Sequence, residues 1–140
     1  MIDRINVVVF IFSSTSEPNF LLLRRSRDRG GFWQPVSGGI EENENSMQAA
    51  KREIFEETGI TDIKHLIDLE LSYKYEAIKK NVPLKMKDIC FGAEVPDLTS
   101  VNLSREHSAY KWCKKEEVYT YLNWKYIRLA FEKLIHSMEN

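Results

Sequence analysis

This chain has little of what would set it apart from an ordinary globular protein. Charge of one sign is missing: 20 Lys and Arg stand against 21 Asp and Glu, a formal net charge of −1. That excludes a nucleic-acid coat or a polybasic membrane patch as the main role. A small anionic substrate remains compatible, because it responds to local charge. Cysteine is scarce, and Cys90 and Cys113 are far apart in no metal-ligand spacing. Reduced core thiols in a cytoplasmic protein are the expectation. Long hydrophobic runs are absent too. The apolar start MIDRINVVVFIF is short, carries Asp3 and Arg4, and has no small-residue cleavage site. It predicts a strand rather than a signal peptide or a membrane span. No repeat, low-complexity tract or linker divides the 140 residues. A single domain over 1–140 is expected, large enough to bury most of its apolar surface.

What is present reads as strands mixed with two helices. Ile5–Phe12 is apolar on both faces, as in a buried central strand, and SSTSEPN ends it. Phe20–Arg25 resumes as a second strand, and RDRGGFWQPVSGG is a loop by its glycines and proline. Asn45 or Ser46 caps a helix that runs to about Thr58, with Gly59 in the stop position. Ile63–Glu76 and Lys87–Val95 alternate as strands, joined by the lysine-bearing AIKKNVPLKMK, and Ala109–Cys113 is a short strand. Trp124, Ile127, Phe131, Leu134 and Met138 fall at helical spacing and predict an amphipathic last helix. The fold class is α/β or α+β, with a mixed sheet between helices.

The first helix carries an unusual grouping. At about 100° per residue, Glu56 and Glu57 flank Glu53 within a sector about 100° wide. Met47, Ala50 and Ile54 occupy the neighbouring sector and would anchor the helix, while Arg52 stands four residues before Glu56 and can pair with it. A solvated acidic face is one reading. The other is a site for a hard divalent cation, since Mg2+ takes oxygen ligands. Without a metal, the three carboxylates should raise one another's pKa.

From Gly38 the chain reads Gly, five residues, Glu44, seven residues, Arg52-Glu53-Ile54, one residue, Glu56-Glu57, one residue, Gly59-Ile60. This resembles a complete box of the Nudix hydrolases. The resemblance implies an α/β/α sandwich around a mixed sheet and Mg2+- or Mn2+-dependent hydrolysis of a diphosphate linked to another group. It further implies that Glu53, Glu56 and Glu57 hold metal, that Arg52 orients a glutamate, and that Gly38 and the Ser37 carbonyl lie at the metal end of the loop, with Gln34, Ser37, Gly38 and Gly39 as candidate substrate-binding residues. Glu44 would be structural. Water can then attack phosphorus directly, with a carboxylate as general base.

Outside the box, Glu106 in SREHSAYKW is a solvent-facing loop residue or, by similarity to the EHxAYxW stretch of several Nudix pyrophosphohydrolases, a further metal ligand or base. His107 contacts either the loop or the substrate. Arg24 and Arg25 are neighbours on a strand, so at most one can face the site, where it would suit phosphate. Arg27, Asp28 and Arg29 are expected to be solvated. Trp33 and Gln34 precede the box, and the tryptophan either stacks on a base or pterin ring or packs in the core. Tyr73 and Tyr75 are explained by packing. Lys79, Lys80, Lys85 and Lys87 form a solvated loop or a lid that meets the triphosphate.

FWQPVSGGIEENE, EHSAYKW and WKYIRLAFEKL together resemble the dihydroneopterin triphosphate pyrophosphatases, which implies a nucleotide or pterin triphosphate as small-molecule partner. EHSAYKW also fits the diadenosine tetraphosphate hydrolases, and WQPVSGGI is similar to the RNA 5′-pyrophosphohydrolases. A nucleotide-binding regulator without catalysis is the reading from another class, although such proteins have eroded boxes. A homodimer is compatible with the sequence.

Overall fold

The computed structural model describes residues 1–97 and 99–139. Strand β1 (Arg4–Ser13) occupies the middle of a mixed sheet with the path β3-β2-β1-β6-β5. β2 (Phe20–Arg25) and β4 (Val36–Gly39) run antiparallel to β1, and β6 (Val82–Val95) runs parallel to it over its whole length. β3 (Trp33–Gln34) and β7 (His107–Cys113) flank β2, and β5 (His65–Lys79) pairs with β6.

β1 shares one edge between two partners. Ile11 and Phe12 pair with β2, whereas Asn6–Val9 pair with β4. β2 and β4 therefore diverge from a common strand, and the sheet forks between them.

Apolar side chains fill both faces, as the two-faced run of β1 predicts. Val7, Val9, Ile11, Leu21 and Leu23 pack with Ala49, Ala50 and Ile54 of α1 (Ser46–Thr58). Val8, Phe10, Phe12, Phe20 and Cys90 pack on the other side with Val118 of α2 (Lys115–Tyr121) and with Ala130, Phe131 and Leu134 of α3 (Lys125–Met138). This is the α/β/α sandwich expected. Both cysteines are buried free thiols in the second layer. No described helix is long and apolar enough to cross a membrane.

Several expectations need correction. The stretch read as one loop holds a 3₁₀ turn at Arg27–Arg29 and the strands β3 and β4. These strands are only two and four residues long, and β4 ends in two glycines, so they lack a periodic signal. AIKKNVPLKMK is not a loop or a lid. β5 and β6 continue through it to a two-residue turn, with Lys80 at φ 49° and Asn81 at φ 65°. Paired left-handed residues match the twist of a hairpin. α2 carried no recognised signal because only one turn of it faces the core, through Val118. Met47 is exposed, and Ala49 is the buried residue in its place.

Candidate active site

Helix α1 is fixed at both ends by local chemistry. Asn45 accepts a hydrogen bond from the Gln48 amide at 2.8 Å, and the Gln48 side chain accepts one from the Asn45 amide at 2.8 Å. These reciprocal bonds satisfy donors that the first turn leaves free. Gly59, at φ 75°, ends the helix.

Arg52 ties that helix to the preceding loop. Its Nε and Nη2 donate to the two Glu44 oxygens at 2.9 and 2.7 Å, and Nη2 also donates to the Gly39 carbonyl at 2.8 Å. Nη1 donates to Glu56 at 3.2 Å and lies 3.3 Å from Glu53 Oε1. One guanidinium thus holds the loop and two of the three box glutamates, a task its planar fork suits. The arginine holds the Glu44 carboxyl down to about 2. The expected Arg52–Glu56 pair is present, but the stronger partner is Glu44.

Gly38 lies against Glu53. A Cβ there would sit 1.5 Å from Glu53 Oε2. The absence of a side chain at Gly38 is therefore a packing requirement, and it lets the helix seat its carboxylate against the strand.

The three glutamates share a sector but not an environment. Glu53 and Glu57 are buried, whereas Glu56 is exposed. Burial pushes Glu53 up to about 7, opposed by Arg52 and assisted by Glu56 and Glu106. Burial pushes Glu57 up to about 9, with Glu53 and Glu106 adding to the rise. The expected mutual repulsion is present but ranks second to desolvation. Both Glu57 oxygens are sealed from solvent and have no hydrogen-bond partner among the described residues. His107 Nε2 approaches Glu57 Oε1 to 3.6 Å and Gln34 Nε2 to 3.5 Å. Burial lowers the His107 pKa, which favours the neutral ring.

A cavity of about 870 Å³ opens at the fork of the sheet and extends across its α3 face. Glu53, Glu56, Glu57 and Glu106 line one region of it together with Arg25, Gln34, Ser37, Gly38 and Gly39. Arg25 reaches the site because its register shifts: Arg24 pairs with Ala109, while Arg25 pairs with His107, leaving Ser108 as the extra residue of a bulge. The Arg25 Nε is buried without a partner among the described residues, and its guanidinium lies 5.6 Å from the Phe32 ring centre. Arg24 is outside the cavity, exposed, and donates to the Gly31 carbonyl at 3.3 Å. Strand alternation admits one arginine, and it is Arg25. Arg29, expected to be solvated, lines the cavity and pairs with Glu106 at 3.5 Å. Trp33 packs on Tyr121 at 5.3 Å between ring centres, as the packing alternative expects, and it also lines the cavity.

These residues fit a hard divalent cation. Two sealed, unpartnered carboxylate oxygens on Glu57 are costly unless a cation or proton meets them. Among the described residues no three His, Cys, Asp or Glu side chains are placed to hold a metal ion together as they stand. Arg52 holds Glu56 and Arg29 holds Glu106.

Comparison with known proteins decides the family. The NUDIX domain model matches residues 3–132. The chain belongs to the Nudix family. This is a family of hydrolases, and its members generally use divalent metals. A bis(5′-nucleosyl)-tetraphosphatase of Mus musculus is 31% identical over 134 residues, covering 95% of this chain and 88% of that protein. The Escherichia coli dihydroneopterin triphosphate pyrophosphohydrolase structure superposes with a TM-score of 0.81 at 26% identity, covering 98% and 99% of the two chains. An octanoyltransferase of Myxococcus xanthus is 38% identical over 96 residues. Those residues are 69% of this chain but 26% of that protein, so this Nudix chain matches about a quarter of its length.

Sequence reasoning missed the far end of the cavity. Asn6, Tyr75, Met86 and Asp88 line it from three strands, and Trp124 from the connection before α3. Tyr75 is therefore more than packing. The available signal was the polar Asn6 before the apolar run of β1 and Asp88 before that of β6; only pairing reveals that they meet.

Proposed function

We propose that this Nudix chain is a Mg2+-dependent pyrophosphohydrolase, with Mn2+ as a possible substitute, that converts a nucleoside or pterin triphosphate to a monophosphate and pyrophosphate. The observation that carries this reading is the pair of buried, unpartnered Glu57 oxygens beside Glu53 in a cavity that also holds Arg25. Glu53, Glu56, Glu57 and Glu106 are the residues that would hold metal. A bound divalent ion would neutralise phosphate charge and lower the pKa of a water. The chain's own residues do the remaining work. Arg25 binds a phosphate oxygen through a guanidinium whose Nε is already sealed from water. Arg52 fixes Glu53 and Glu56, and the His107 ring packs beside Glu57 and keeps water from it. A water oxygen bonds to phosphorus as the bridging P–O bond breaks, the electron pair leaves with pyrophosphate, and a carboxylate of the cluster takes the water proton.

The similarity to the tetraphosphatase, together with a cavity of about 870 Å³, favours a dinucleoside tetraphosphate as second reading. One panel separates the two: dNTPs, dihydroneopterin triphosphate, diadenosine tetraphosphate and triphosphorylated RNA, each with Mg2+ or Mn2+ and with products identified. Pyrophosphate from a mononucleoside or pterin triphosphate at the best rate supports the first. ATP from diadenosine tetraphosphate at the best rate replaces it with the second. Nucleotide binding with no turnover under either metal removes the enzyme reading in favour of a regulator.

A further inference from the structure

The far end of the cavity carries its own polar group. Asp88 of β6 sits beside Asn6 of β1 in the parallel register, and Asn6 is in turn opposite Gly39 of β4. With strands about 4.8 Å apart, Asp88 stands roughly 10 Å along this row from Gly39, whose chain neighbour Gly38 meets Glu53. That gap is suited to the sugar or short carbon chain between a ring and its first phosphate.

Asp88 is buried, yet both it and its neighbours line the cavity. Its Oδ1 accepts from Asn6 Nδ2 at 3.1 Å and from Tyr75 Oη at 3.0 Å. Among the described residues no hydrogen bond within 3.5 Å reaches its Oδ2, which is not among the sealed atoms, and the buried Tyr73 hydroxyl stands beside the same carboxyl from the paired strand. Because Asn6 gives its amide hydrogens to Asp88, its Oδ1 remains a second acceptor beside the first. Two adjacent acceptors are complementary to two adjacent donors. Trp124 meets the Tyr75 ring edge-on at 4.8 Å and adds an apolar wall with Met86 and Ile127. A flat ring between such walls gains stacking as well as hydrogen bonds.

We infer that Asp88, with Asn6, selects the ring of the substrate, accepting from the adjacent ring N–H and exocyclic amine of a 2-amino-4-oxo heterocycle, the edge shared by guanine and pterin. This rests on the triphosphate reading above and adds the ring class. A buried acceptor discriminates well because an analogue lacking the donor leaves it unpaired.

The test compares kcat/KM for dGTP, dihydroneopterin triphosphate and dITP, which lacks the 2-amino group, in wild type, Asp88→Asn and Tyr75→Phe. Wild type should prefer dGTP to dITP by about 10- to 100-fold, the value of one hydrogen bond to a charged acceptor. Asp88→Asn should reduce that ratio to within about threefold through KM with kcat little changed, because the lost contact is to the ring. Tyr75→Phe keeps Oδ2, removes one donor to Oδ1, and gives an intermediate ratio even if Asp88→Asn folds poorly. Whichever of dGTP and dihydroneopterin triphosphate has the higher kcat/KM identifies the source of the edge. Equal dGTP and dITP rates in wild type, or an unchanged ratio in both variants, would overturn the inference. If wild type hydrolyses none of them, the hydrolase reading fails by itself. Binding of α,β-methylene dGTP and dITP, followed by tryptophan fluorescence, then decides the ring contact by the same ratios.

Discussion

In metal-free protein the two buried glutamates should make stability fall as pH rises. Glu53 and Glu57 hold their protons to about 7 and about 9 in the folded chain, against an ordinary value of 4.5. The unfolded chain has released them by pH 6. Between pH 5 and 9 the folded state therefore binds more protons, and the free energy of unfolding decreases with pH. At about 1.4 kcal/mol per unit, the separation for Glu57 alone corresponds to an upper bound of ~6 kcal/mol. Water at the cavity mouth raises the effective dielectric, and a net loss of about 2–3 kcal/mol between pH 6 and 9 is the expected result. Urea denaturation in EDTA measures it directly. Glu57→Gln removes the ionisation, so at pH 8 in EDTA the variant should exceed wild type by about 2 kcal/mol, a Tm rise of roughly 6 °C for a chain of this size. Saturating Mg2+ should reverse that order, since wild type alone then has the full carboxylate set. Wild-type stability that rises from pH 6 to 9 in EDTA would refute the electrostatic account. So would a Glu57→Gln protein less stable than wild type at pH 8 without metal.

Three further outcomes follow from the geometry. Gly38→Ala should push the Glu53 carboxylate off its seat without moving backbone, lowering stability by about 1 kcal/mol while activity falls on the order of 10²-fold; a Tm scan beside a pyrophosphate-release assay shows the split. Arg52→Lys keeps the charge but loses the fork to Glu44 and the Gly39 carbonyl, and should cost about 1–2 kcal/mol in urea denaturation and at least tenfold in kcat. Arg25→Gln should raise KM for a triphosphate by about tenfold or more, while Arg24→Gln changes it less than twofold. Equal effects of the two would show that Arg25 does not face phosphate.

The carboxylate helix was readable because its signals are local. Asn45, Gly59 and the spacing of Glu53, Glu56 and Glu57 all lie within one short stretch. Which glutamates are buried was not readable, because that depends on Gly38 arriving from another strand. Arg52 was paired with Glu56 from helical spacing, yet Glu44 lies outside the helix and proved the closer partner. The same limit hid the polar floor: Asn6 and Asp88 are 82 residues apart and meet only through parallel pairing. Arg29 and Glu106 show it again, since neither loop alone predicts their contact.

The fork of the sheet has a consequence for how such a protein changes over generations. β1 holds β2 with one part of its edge and β4 with another, and the buried layers on both faces fix all three. The segments at the mouth of the gap, around residues 26–32 and 99–106, hang from that frame without supplying its core strands. Insertions or exchanges there alter what enters the gap, and can move Glu106, while leaving Glu53, Glu56 and Glu57 where the frame puts them. A lineage can therefore try new substrates in its loops at little risk to its fold.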